Sequence, residues 1–157
     1  MAENPTILLV DDEEMVLTSL ASFLTLETDY DVKGYTSGAE ALQFLKDHDV
    51  DLVISDFLMP EMDGLEFLTK AREMRPEVPR IILTGYADKE NAIKAINTVG
   101  LYQYIEKPWN NEDLRIIIRN AVEKQQLVKS LTDKIQQINS ATSELQLIQQ
   151  DILKAFV

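Results

Sequence analysis

The sequence predicts a doubly wound α/β fold, a five-stranded parallel sheet with helices on both faces. Three observations carry this expectation. Five short apolar runs recur between residues 6 and 108, and helix-like segments separate them. Most runs are continuously apolar rather than alternating, as strands buried on both faces of a parallel sheet are. Alternating β and α units of this kind wind right-handed into one sheet.

The first strand is expected at Ile7–Val10, followed by four consecutive acids from Asp11 to Glu14 and a helix over 14–27. Val32–Tyr35 is the second strand and 38–47 the second helix. Leu52–Ile54 is the third strand, and the helix over 64–75 is bracketed by Asp63-Gly64 and Pro76. Ile81–Leu83 forms the fourth strand. In the helix over 88–99, Ala92, Ile93, Ile96 and Val99 make one apolar stripe, with Asp88 as N-cap and Gly100 as the C-terminal stop. Tyr102–Ile105 is the fifth strand. A unit of about 110 residues built this way has the flavodoxin-like size.

Composition narrows the function. The 157 residues carry 27 acids and 15 bases, a net charge of -12, with 45% apolar residues and no cysteine. The whole excess lies in residues 1–110, because 111–157 hold six of each sign. So acidic a surface repels nucleic acid and anionic lipid. The missing cysteine excludes thiolate zinc sites and cysteine nucleophiles. The single histidine, His48, reads as an ordinary loop residue. No apolar run approaches membrane-spanning length and no secretory segment opens the chain, so a cytoplasmic protein is expected.

In a doubly wound sheet, ligands bind beyond the carboxyl ends of the strands. Those positions are Asp11 and Asp12 after the first strand, Asp56 after the third, Thr84-Gly85 after the fourth and Lys107-Pro108 after the fifth. Three carboxylates, a hydroxyl and an ammonium would meet at one edge. Clustered carboxylates need a shared proton or a divalent cation. With only hard oxygen ligands present, Mg2+ is favoured. A carboxylate beside such a cation and a lysine can attack phosphorus to give an aspartyl phosphate. Thr84 would then bond a phosphoryl oxygen, Lys107 would neutralise charge there, and Gly85 would leave room. Each residue alone also has a plain structural reading as a cap, a turn or a strand end. All five together at the right strand ends do not.

These residues, with Met59-Pro60-Glu61-Met62-Asp63-Gly64 after Asp56 and Tyr104 before Lys107, resemble the receiver domains of two-component response regulators. The resemblance spans about residues 5–124. It implies that Asp56 is the phospho-acceptor and that Asp11, Asp12, Asp56 and the backbone carbonyl of Leu58 hold Mg2+. It further implies that Thr84, Gly85 and Lys107 bind the phosphoryl group and that Thr84 and Tyr104 form a switch pair. The bond before Pro108 would be cis. A sensor histidine kinase would be the phosphodonor, and the readout would be the face made by the fourth helix, fifth strand and fifth helix. Leu101 is bulkier than the usual alanine, and Leu58 and Tyr86 flank the site with bulk, from which slow self-dephosphorylation is expected.

Residues 111–157 contain no Gly or Pro and read as one long helix capped by Asn110 or Asn111. A 3–4 spacing runs from Leu114 through Ile117, Ala121, Lys124, Val128, Leu131, Ile135, Ile138, Thr142, Leu145, Gln149 and Ile152 to Phe156. Sustained that far, it predicts a parallel coiled-coil homodimer with Val128, Leu131, Ile135, Ile138, Leu145 and Ile152 in the seam. The expected division is a receiver at 1–124 and a coiled-coil extension at 125–157. The chain end at Val157 suggests a partner-docking end or an output domain beyond it. Two rivals are weaker. A constitutive coiled-coil interaction protein would have no reason to keep the complete acid, threonine and lysine set. An aspartyl-phosphate hydrolase would need an acid two residues beyond Asp56, where Leu58 stands.

Overall fold

The computed structural model describes residues 4–155, and the side chains of all of these except 86 and 147–155. Eleven elements follow in order. They are β1 (Thr6–Val10), α1 (Glu14–Glu27), β2 (Asp31–Tyr35), α2 (Gly38–Asp47), β3 (Leu52–Asp56), α3 (Gly64–Met74), β4 (Arg80–Thr84), a 3-10 turn (Tyr86–Asp88), α4 (Lys89–Val99), β5 (Gln103–Glu106) and α5 (Asn111–Ala155). The strands form one parallel sheet in the order β2-β1-β3-β4-β5. The order reverses at β1 and β3, so the carboxyl ends of those two strands flank the crevice where such sheets bind ligands.

The continuous apolar runs reflect burial on both faces. Along β1, Leu8 and Val10 pack with Ala41 and Leu45 of α2, Phe67 and Leu68 of α3 and Ala92 of α4. Ile7 and Leu9 pack on the other side, with Leu20 and Leu24 of α1 and Leu114 and Ile118 of α5. Side chains alternate faces along a strand, so two cores share three central strands.

The chain divides into a unit Met1–Gln125 and a unit Gln126–Val157. In the first, two stripes differ from the sequence expectation. Ile93 is exposed, and Ala95 is the buried residue of α4 beside Ala92. In α5 the core-facing residues are Leu114, Ile118, Ala121, Val122 and Gln125. Lys124 instead places its ammonium 5.3 Å from the centre of the Tyr102 ring, a cation–π contact. The 3–4 count from Leu114 therefore leaves the core-facing stripe at Lys124. In the second unit Leu131, Ile135, Ile138 and Leu145 are exposed and Val128 is half-buried. The side chains of Gln149, Ile152 and Phe156 lie outside the described residues.

Three of the expected helix-end residues, Asp63, Asn110 and Gly100, act as caps. Asp63 accepts the Glu66 N–H at 2.8 Å, and Asn110 accepts those of Glu112 and Asp113 at 2.9 and 3.1 Å. Gly100 ends α4 in the left-handed region at φ 74°. Asp88 precedes α4 but its side chain makes no capping bond, because a 3-10 turn leads into the helix.

Candidate functional site

Parallel topology delivers the acids to one edge. Asp11 follows β1 directly and is almost fully buried. One of its oxygens accepts the Glu13 N–H at 2.9 Å, which turns the chain into α1. Asp12 beside it is exposed. Asp56 ends β3 in the adjacent position, buried with 8% exposure. Carboxylate oxygens of Asp11, Asp12 and Asp56 all lie within 4.8 Å of one another.

Lys107 closes the cluster from the strand two places away. Its Nζ donates to Asp11 Oδ2 at 3.0 Å and to Asp56 Oδ1 at 2.9 Å. Its backbone N–H donates to Thr84 O at 2.8 Å, which ties the end of β5 to that of β4. The Lys107–Pro108 bond is cis. Burial lifts the Asp56 carboxyl above its ordinary range; the Lys107 hydrogen bond opposes this, and the Asp11 charge adds to the rise. For Lys107, burial favours the neutral amine, yet its bonds to Asp56 and Asp11 win and hold the ammonium above its usual value. Three carboxylates thus gather around one ammonium.

The backbone of Asp56 is fixed from several sides. Its carbonyl accepts the buried Ser55 hydroxyl at 3.0 Å, and Oδ1 accepts the Phe57 N–H at 3.0 Å. Gly64 opens α3 so close by that a Cβ there would lie 2.0 Å from the Asp56 carbonyl oxygen. Only glycine permits that approach. Oδ2 of Asp56 takes no hydrogen bond from the described residues.

Thr84 is fully buried, with its hydroxyl on Gly85 O at 3.1 Å. A Cβ added at Gly85 would meet nothing within 4 Å. Tyr104 lies half-buried against the core beneath α2, α3 and α4, opposite Ile82 in the β4–β5 register. Two residues on from Ile82, Thr84 points to the same sheet face. Leu58 is 59% exposed on the loop after Asp56. The side chain of Tyr86 lies outside the described residues.

The response regulator receiver domain model matches residues 7–119. The chain belongs to the response regulator receiver family. Among related receivers, the hydrogenase transcriptional regulatory protein HoxA of Cupriavidus necator is 40% identical over 125 residues, 80% of this chain and 26% of that protein. Response regulator Rre1 of Synechocystis sp. is 32% identical over 154 residues, 97% of this chain and 66% of that protein. The crystal structure of a response regulator receiver domain protein from Clostridium thermocellum matches with TM-score 0.74 and 32% identity, over 79% of this chain and 98% of that one. The chain spans about a quarter of the length of the HoxA proteins, 26% of each of two. Among the described residues of this receiver, no helix is long and apolar enough to cross a membrane.

Two features of the receiver escaped the sequence reading. Gly64 was visible as a helix-start signal and as part of the receiver pattern, not as a steric necessity against Asp56. Arg80, the buried first residue of β4, was hidden at the edge of an apolar run. A charged residue abutting a strand buried on both faces was the available signal.

Proposed function

We propose that this receiver is controlled by phosphorylation of Asp56, with a sensor histidine kinase as donor and Mg2+ as cofactor. The observation that carries the reading is the Lys107 ammonium held between Asp11 and Asp56, with a third carboxylate within 4.8 Å. Asp11, Asp12 and Asp56 with the carbonyl of Leu58 would hold the cation. All are hard oxygen donors, and three carboxylates around one ammonium support the fit. When bound, Mg2+ supplies charge neutralisation on the phosphoryl oxygens.

Asp56 Oδ2 is the oxygen presented for attack. Its new bond to phosphorus forms as the phosphorus–nitrogen bond of a phosphohistidine breaks, and the imidazole leaves with the electron pair. Lys107 stays in place to neutralise the phosphoryl oxygens. Phosphorylation adds about -1.5 to -2 charge and three acceptors at that point. The Thr84 hydroxyl leaves Gly85 O for a phosphoryl oxygen, and Gly85 leaves space for the group. Tyr104 on the same sheet face turns into the vacated volume, reshaping α4, β5 and α5. Leu58 and Tyr86 slow the approach of water to the phosphate.

The tail from about residue 125 pairs with a second copy as a parallel coiled coil through Val128, Leu131, Ile135, Ile138, Leu145 and Ile152. It passes the signal to an output domain or partner in the cytoplasm. Trp109 lies two residues past Lys107 and packs against the core that α1 and α5 cover. Its fluorescence is expected to change when Mg2+ and then beryllofluoride are titrated into the protein, and Asp56→Asn is expected to lose the second response. A second response undiminished in Asp56→Asn counts against the reading.

A further inference from the structure

The two ends of α4 are held by unlike forces. At the C-terminal end, Arg80 Nη2 donates to Gly100 O at 2.8 Å and its Nη1 to Val99 O at 3.3 Å. Arg72 Nη1, from α3, donates to the same Val99 O at 3.1 Å. The space beside the Gly100 Cα is bounded by these two guanidinium groups, at 3.5 and 3.6 Å from where a Cβ would lie. Arg80 is only 5% exposed, and no carboxylate among the described residues pairs with it or with Arg72. Its charge is compensated by the negative end of the α4 dipole and the carbonyls that carry it. Moving those carbonyls away would strand a buried cation, which is expensive.

Among the described residues, none anchors the N-terminal end comparably. Asp88 makes no capping bond, and the entry is a 3-10 turn. The ion pair there, Lys89 Nζ to Glu106 Oε2 at 3.4 Å, is open to solvent on both partners. Such a pair contributes little. The fully buried residues of α4 are the small Ala92 and Ala95, and its larger core contacts, Ile96 and Val99, lie toward the C-terminal end.

We propose that Arg72 and Arg80 form the fulcrum of α4: when charge changes at Asp56, the helix swings about Val99–Gly100, with the largest displacement at Lys89. The clamp itself is independent of phosphorylation, whereas the swing rests on the reading of Asp56 given above. The motion needs no new bond at the far end, only exchange of the exposed Lys89–Glu106 pair near Thr84. It converts a local event at the strand ends into a tilt of one helix.

Residue-resolved amide exchange on the full chain tests both parts. Without additives, Val99, Gly100 and Leu101 are expected to exchange more slowly than Ile93, Lys94 and Ala95. Arg72→Gln, a substitution at an exposed side chain, should speed Gly100 and Leu101 about tenfold and leave Ile93 unchanged. Arg80→Gln should act more strongly at the same amides, and its folding is checked by the unchanged core of β1 and β3. No effect of Arg72→Gln, or equal acceleration along the helix, overturns the clamp whatever happens at Asp56. With Mg2+ and beryllofluoride, changes confined to the Lys89 half support the swing, and equal changes at Gly100 and Leu101 overturn it. If Trp109 fluorescence shows that beryllofluoride does not bind, the Asp56 reading and the swing fall together, while the additive-free comparison still decides the clamp.

Discussion

The Lys107 ammonium bridges carboxylates at the carboxyl ends of two different strands, 2.9 Å from Asp56 and 3.0 Å from Asp11. Removing it leaves two buried acids facing each other. Lys107→Met should therefore cost about 1–3 kcal/mol, less than a fully buried pair would because the lysine is partly solvated. Mg2+ should restore part of the loss. Urea unfolding with and without Mg2+ measures both.

Asp56 gives the opposite sign. Its folded carboxyl binds a proton more tightly than in the unfolded chain. Between the ordinary carboxylate range and the raised value, the native state holds more protons, so the Asp56 contribution to stability falls as pH rises through that window. Asp56→Asn should then be the more stable protein at neutral pH without divalent metal, by on the order of 1 kcal/mol. The advantage should shrink as pH falls through the window. Unfolding midpoints across mildly acid to neutral pH check this.

Gly64 and Gly85 should respond differently to the same change. A methyl at Gly64 would lie 2.0 Å from Asp56 O, whereas one at Gly85 meets nothing within 4 Å. We expect Gly64→Ala to cost about 2–4 kcal/mol through backbone displacement and Gly85→Ala to stay within about 1 kcal/mol. Thermal unfolding of the two variants side by side is sufficient.

The exposed apolar residues of the tail should be covered by a second copy. Leu131→Glu combined with Ile138→Glu should leave a monomer at concentrations where the wild type scatters light as a dimer. A wild type that is monomeric throughout removes the coiled coil.

Much of this was legible in the sequence, for identifiable reasons. Asp11, Asp56, Thr84 and Lys107 could be assigned to one edge because parallel strands all end on the same side. The misassignments arose where one helix serves two surroundings. In α5 a single 3–4 repeat was counted through both units, so it passed over Ile118, Val122 and Gln125 and took in Lys124, which rests on Tyr102. In α4 the large Ile93 looked like core but is exposed; Ala95 takes the buried place beside Ala92, and Ile96 and Val99 pack at the edge of the core. The burial of Arg80 had a signal, but its partners did not, because they are the backbone carbonyls of Val99 and Gly100, which no side-chain pattern reveals.

The central claim is that Asp56 accepts a phosphoryl group in a Mg2+-dependent way. Intact-mass and peptide mass spectrometry after incubation with a small phosphoramidate donor tests it most directly. We expect the wild type to gain one phosphoryl group, mapped to Asp56, acid-stable and base-labile, and lost when Mg2+ is chelated or Asp56 is replaced by Asn. No gain with Mg2+ present, or an undiminished gain in Asp56→Asn, would contradict it.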